Sequence, residues 1–275
     1  MKKIFFPTLL FLLPFIAPAQ SSAKEWYTKG IELKEKHEYE AALTAFKNAI
    51  AKKAGYHEAY YQAGWCSNEL EKYQDCVDLL KKYEPVTNDN IRDKCNELAF
   101  AYYKLRDAKN AIEEYSKVLA LFPQNEISLR GMANVYYDLQ EDHEKALYYF
   151  EKAVAVDEEG SKPVYYKLGW LYNDKGRYDD AVRIMLKAIR YDSEDSGYRE
   201  EIGYAYYMKE QYEFALTQLN KAISLDESSK LGYYYKGLCF IATNKKGEAM
   251  SMYFKLKELD NDEAKELLEK INGMK

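Results

Sequence analysis

Residues 165–189 read YYKLGWLYNDKGRYDDAVRIMLKAI. Two small residues stand twelve apart in this stretch, Gly169 and Ala181, and the same pair returns along the chain. The first member recurs as Gly30, Gly64, Ala99, Ala133, Gly169, Gly203 and Gly237, at spacings of 34, 35, 34, 36, 34 and 34. The second follows as Ala42, Cys76, Ala111, Ala146, Ala181, Ala215 and Ala249. A fixed period of this length means a repeat architecture. Inside each period the apolar pattern is helical. In the first, Trp26, Gly30 and Leu33 share one helix face, Ala42, Phe46 and Ala49 share another, and Lys36-His37-Glu38 makes the turn. Glycine inside a helix costs about 1 kcal/mol relative to alanine. Its return at one place implies that two backbones cross closely, with each Gly expected to face the Ala of its partner helix. Large residues such as Trp26, Leu98, Tyr165, Phe46, Phe150 and Met185 are expected to fill the flanking space.

With the glycine numbered position 8, an aromatic falls at 4, Tyr at 11, Ala at 20, a large apolar residue at 24 and Ala at 27. Tyr165, Gly169, Tyr172, Ala181, Met185 and Ala188 show the set, and Leu121-Phe122-Pro123 closes the third unit. This pattern resembles the tetratricopeptide repeat. The resemblance implies an all-α, right-handed superhelical solenoid of about seven helix-turn-helix units. These begin near Ala23, His57, Arg92, Glu126, Lys162, Ser196 and Lys230, and the array covers 20–263. Segment 264–275 is expected to be a capping helix, with Ala264, Leu267, Leu268 and Ile271 on one side, because an open array needs a polar outer end. Two departures are local. Tyr83 replaces the small residue of unit two and Glu84-Pro85 ends that helix early; unit four has an extra residue in its turn at Gln140–His143.

At the N-terminus, Met1-Lys2-Lys3 is followed by an apolar stretch from Ile4 and by Ala17-Pro18-Ala19. That order is expected of a secretory signal peptide over 1–19, cut before Gln20, which would make the protein exported, periplasmic or secreted, with no stable membrane insertion after cleavage. Composition excludes other classes. The chain of 275 residues carries 40 Lys+Arg against 45 Asp+Glu, without the basic footprint of a nucleic-acid binder. Its 28 tyrosines against 11 phenylalanines point to aromatic surface that is packed at one end and wet at the other.

Chemistry-bearing motifs are missing. His37, His57 and His143 fall in turns or at a helix start of separate units and read as solvent-facing. No phosphate loop, nucleophile elbow or His-Glu-x-x-His is present. Catalysis, a metal and a cofactor are therefore not expected. Of the cysteines, a bridge such as Cys76–Cys95 stays open beside plain helix packing.

Positions 2, 5, 9, 12 and 13 form a stripe turned about 100° from the seam of each first helix. In the tetratricopeptide family this stripe lines the concave surface that holds partner polypeptides. Here it carries Tyr27, Tyr61, Trp65, Asn68, Asn96, Phe100, Tyr103, Arg130, Asn134, Tyr137, Tyr166, Trp170, Asn173, Tyr204, Tyr207 and Tyr234. Aromatics with interspersed amides suit a groove for a protein or peptide, the amides pairing with its backbone. Some of these rings must instead pack between neighbouring first helices. Glycan or cell-wall binding is the alternative, since aromatic platforms also stack on sugars. Arg130 and Asn134 occupy two places used by the family's carboxylate-clamp adaptors, but Lys167, Pro163 and Glu201 break the rest of that pattern.

Overall fold

A computed structural model of the chain describes residues 22–274. The signal segment 1–19 and the cleavage point before Gln20 lie outside the described residues. Those described are all-α, without a strand. The helices follow in hairpins: α1 (Ala23–Glu35) with α2 (Tyr39–Lys52), α3 (His57–Glu69) with α4 (Tyr73–Leu80), and α5 (Asn88–Lys104) with α6 (Ala108–Leu121). Next come α7 (Glu126–Asp138) with α8 (His143–Val156), α9 (Tyr165–Asp174) with α10 (Tyr178–Ile189), and α11 (Ser196–Met208) with α12 (Tyr212–Leu225). Last are α13 (Lys230–Ala242) with α14 (Lys246–Leu259), then a lone α15 (Asn261–Asn272). Pro163 sits in a 3-10 turn over Lys162–Val164, so α9 starts late and is short. Contacts divide the chain into two compact units, Met1–Thr87 and Asn88–Lys275. The break follows the irregular segment announced by Glu84-Pro85: α4 stops at Leu80, and α5 begins at Asn88, four residues before Arg92.

Each hairpin turn is closed the same way. One residue per turn is left-handed, namely His37, Glu71, Arg106, Glu141, Gly176, Glu210 and Asn244, with φ between 53 and 69°. The next backbone N–H then reaches back five residues, as Arg177 N does to Tyr172 O at 2.8 Å and Lys72 N to Ser67 O at 2.8 Å. This is the Schellman closure, which satisfies the helix's last carbonyls. In the fourth turn the extra residue makes the reach six, from Asp142 N to Tyr136 O at 3.0 Å. Only Gly176 is a glycine here. Gly176→Ala is expected to cost about 1 kcal/mol, the left-handed penalty of an L-residue, and Glu210→Gly to gain a smaller amount. Urea titration of both variants measures the pair of signs.

The seam differs from the expectation that Gly faces Ala. The position-20 residues Ala42, Cys76, Ala111, Ala146, Ala181, Ala215 and Ala249 are all fully buried, but Gly30, Gly64, Gly169 and Gly203 meet the large residue of position 24 instead. A Cβ built on Gly30 would lie 2.5 Å from the Phe46 ring, and one on Gly203 would lie 2.6 Å from Leu219. The missing Cβ makes room for a large side chain, which explains why Phe46, Leu80, Met185 and Leu219 are buried. At Gly237 the slot is taken by Leu267 of α15. Trp26 is a second correction. It is half-buried under the Lys29 ammonium, because α1 is turned so that Tyr27 and not Trp26 abuts Phe46, at 5.6 Å. Leu98, Tyr165, Phe150 and Met185 do lie in the core.

Cys66, Cys95 and Cys239 are buried free thiols, so the Cys76–Cys95 bridge is not formed. Burial pushes their pKa up, to about 11 for Cys66 and about 12 for Cys95 and Cys239. Thiols held protonated in this way are poor nucleophiles.

Candidate functional site

The stripe residues fall on the first helices of the hairpins, and the structure sorts them by what they touch. In the first unit, Tyr27 packs on Tyr56 at 5.0 Å as well as on Phe46. Tyr61 packs on Tyr83, the large residue that replaced a small one. Trp65 is half-buried, with the edge of Tyr39 at 5.5 Å and the Lys34 ammonium 3.9 Å from its centroid. Lys34 is itself held by Gln62 at 2.8 Å, so this indole is fixed while one part of it stays wet. Asn68 is buried.

In the second unit the polar members of the stripe tie neighbouring first helices together. Asn96 on α5 accepts from the Ser128 hydroxyl on α7 at 2.6 Å. Tyr103 donates to Asp138 Oδ2 at 2.6 Å, and Asp138 pairs with Lys167 of α9 at 2.7 Å. Lys167 also donates to Asn134 Oδ1 at 2.9 Å. Arg130 is paired with Glu126 at 2.7 Å. The cations that could form a carboxylate clamp are therefore already neutralised. Burial, before the hydrogen bond to Asp138, raises the Tyr103 phenol well above its ordinary value.

The aromatic members keep more surface. Phe100 and Tyr166 are 37% and 38% exposed. Trp170 is half-buried and held edge-on by Tyr137 at 6.0 Å and by His143 at 5.2 Å. His143, expected to face solvent from a turn, stacks on Tyr137 at 5.7 Å and lies 3.8 Å from Asp174. The start of α8 turns its ring inward between α7 and α9, a placement that sequence spacing does not encode. Tyr204 and Tyr207 lie 5.0 and 6.1 Å from Tyr235, and Tyr234 donates to Glu266 of α15 at 2.5 Å.

One cavity opens on this face, about 270 Å³, lined by Trp170, Asn173, Asp174, Glu200, Glu201, Tyr204, Leu231 and Tyr235. Asn173 is 3% exposed and donates its amide to Glu201, at 2.7 Å to the carboxylate and 3.1 Å to the backbone carbonyl. Burial raises the pKa of Glu201 against the lowering effect of that hydrogen bond, and the Glu200 charge adds to the rise. Burial likewise raises Glu200, whose carboxylate accepts from the Ser229 hydroxyl. Glu201 and Tyr235 stand at position 6, outside the stripe, and Glu200 stands at its position 5 but was not among the residues taken from it. The adjacent pair of glutamates on a first helix, where the repeat tolerates few charges, is the signal that points to them. The second-helix face is different in kind, carrying surface ion pairs such as Lys72–Glu40 at 2.7 Å and Arg177–Glu151 at 2.6 Å. Exposed pairs of this sort contribute little to stability. Among the described residues no His/Cys/Asp/Glu group could hold a metal ion, and no helix is long and apolar enough to cross a membrane.

Comparison with known proteins bears on the repeat. Family models described as tetratricopeptide repeat match residues 94–159 and 163–195. The TPR repeat-containing protein MJ1428 of Methanocaldococcus jannaschii is 23% identical over 241 residues, covering 72% of this chain and 42% of its own length. The chain thus spans less than half of the curated relatives it matches. Among solved structures, the C-terminal part of a TPR repeat-containing protein from Cytophaga hutchinsonii aligns with a TM-score of 0.68 at 17% identity, over 88% of this chain and 99% of that one. YrrB, described as a TPR protein with an unusual peptide-binding site, aligns with a TM-score of 0.59 at 20% identity, over 64% and 91%. The fold and these relatives support an array built of helix pairs. With its 34-residue ruler, its left-handed hairpin closures and these matches, the chain is a tetratricopeptide repeat protein.

Proposed function

We propose that the protein is an exported scaffold that holds a partner polypeptide on the aromatic stripe of its first helices. The observation that carries this is the state of the stripe's rings. Trp65 and Trp170 are each clamped edge-on by other rings yet keep exposed surface, and Phe100 and Tyr166 are over a third exposed. Rigid, amphipathic aromatics of this kind give contact area at low entropic cost, the property of binding hot spots. A structural neighbour described as having a peptide-binding site supports the same reading. The stripe's asparagines act otherwise than expected. Asn96, Asn134 and Asn173 bond to neighbouring helices, so they set the spacing of the rings more than they offer amides to a peptide. Polypeptide capture from envelope extracts, with the retained material divided between protease and glycosidase digestion, tests the class. Loss of the retained material to protease is expected; loss to glycosidase alone would favour the glycan reading.

The export half of the proposal rests on the leader-like order of residues 1–19. Intact-mass measurement on protein from the exported fraction should give a chain beginning at Gln20. A chain still carrying Lys2 and Lys3 would contradict export by this route.

A further inference from the structure

The cavity between α9, α11 and α13 combines three features that suit a cationic ligand. First, Glu200 and Glu201 are adjacent carboxylates on α11, and among the described residues neither is in an ion pair; the hydrogen bonds from Ser229 to Glu200 and from Asn173 and Tyr166 to Glu201 come from neutral groups. Asp174, across from them, is already approached by His143 and Lys175. Second, Asn173 is 3% exposed and uses its amide nitrogen on Glu201, while its Oδ1 is buried without any hydrogen-bond partner. A buried carbonyl oxygen left open is costly, about 1–3 kcal/mol, and asks for a donor. Third, the walls are the rings of Trp170, Tyr204 and Tyr235. Carboxylates, an open carbonyl and aromatic faces all attract one chemical species, a cation carrying several N–H donors. The raised pKa of both glutamates, caused first by burial, agrees with a negative site whose countercharge is missing.

We propose that this cavity is a subsite for an arginine side chain of the partner polypeptide. The proposal rests on the scaffold reading above and adds the residue that the scaffold recognises. Arginine fits better than lysine. Its planar guanidinium can lie against a ring while its five N–H groups, set in a fork, serve Glu200, Glu201 and Asn173 Oδ1 together; an ammonium is a point charge with three donors. A metal ion is a poorer fit, since no His/Cys/Asp/Glu group among the described residues has metal-holding geometry.

The test uses the full chain labelled with 5-fluorotryptophan, whose Trp170 resonance is identified by its loss in Trp170→Phe. The probes are acetyl-Gly-Arg-Gly-amide, the same peptide with neutral citrulline, and the same with lysine. The arginine peptide should shift the Trp170 signal saturably, the lysine peptide should bind more weakly, and the citrulline peptide should give no saturable shift. Glu201→Gln should weaken arginine binding about tenfold, the scale of one charge-assisted contact. Glu200→Gln, at a less enclosed position, should do the same and stands in if the first variant folds poorly. No saturable shift, an equal shift with citrulline, or unchanged binding in both variants would overturn the proposal. Failure of the scaffold reading looks different. An arginine-specific Trp170 shift with no polypeptide retained from extracts would leave the cavity assigned and sink the scaffold. A polypeptide retained equally by wild type, Glu200→Gln and Glu201→Gln would leave the scaffold standing and sink the arginine subsite.

Discussion

Ending the chain after Asp260 is expected to make the protein self-associate before it loses helix beyond the deleted segment. Helix α15 is built into the last hairpin. Ala264, Leu267 and Ile271 are at most 1% exposed, and Leu267 fills the slot beside Gly237 that a residue of α14 would otherwise occupy. Burying a Leu or Ile side chain is worth about 1.5–3 kcal/mol, so Leu267 and Ile271 alone hold several kcal/mol. The polar ties from Tyr234 to Glu266 and from Lys230 to Asp260 would be lost or exposed with them. Because each hairpin contacts only its neighbours, the damage should stay near α13 and α14. Size-exclusion and circular dichroism of the truncated chain check this. A soluble monomer with unchanged melting would mean that α15 is a tail.

The second large effect separates core rings from stripe rings. Phe150 is fully buried, and Phe150→Ala should cost about 3–5 kcal/mol of stability. Trp65→Ala and Trp170→Ala remove half-buried rings from positions outside the Gly seam and should cost much less. Each should instead weaken partner binding by about 2 kcal/mol or more, the scale of an interface hot spot. Trp26, expected from the sequence to pack beside the seam, is half-buried and does not serve as a core control; Phe46 or Phe150 does. Thermal melts run beside a binding assay read both columns. Unfolding of Trp65→Ala and Trp170→Ala to the same degree as Phe150→Ala would make the stripe inter-helix packing.

The repeat was legible because its cause is local and periodic. A glycine or alanine returns every 34 to 36 residues, and Glu84-Pro85 signals the early end of α4. What the glycine faces was not legible. Position 20 and position 24 lie on the same side of the second helix, and only packing shows that Phe46, Leu80, Met185 and Leu219 take the space. The hairpin turns were hidden because six of seven left-handed residues are not glycine, so the closure is enforced by tertiary fit. The stripe's positions follow from helical geometry, and the rings do lie on the first helices. Their partners do not follow from it. Asn134 to Lys167, Tyr103 to Asp138 and His143 against Trp170 join residues of different hairpins, set by how neighbouring units turn against each other. The Glu200–Glu201 cavity needs three successive first helices to exist, and no single repeat encodes it.

Photo-crosslinking shows whether a polypeptide is held on the first-helix stripe. Benzoylphenylalanine would replace Phe100, Tyr166 or half-buried Tyr204 on first helices, and Tyr148, Phe214 or Phe254 on second helices, where the rings are more exposed. After irradiation in envelope extracts, one polypeptide should appear as an adduct of the first-helix positions and be absent from the second-helix ones. Adducts from Tyr148, Phe214 or Phe254 alone would place the partner on the opposite face and contradict the account.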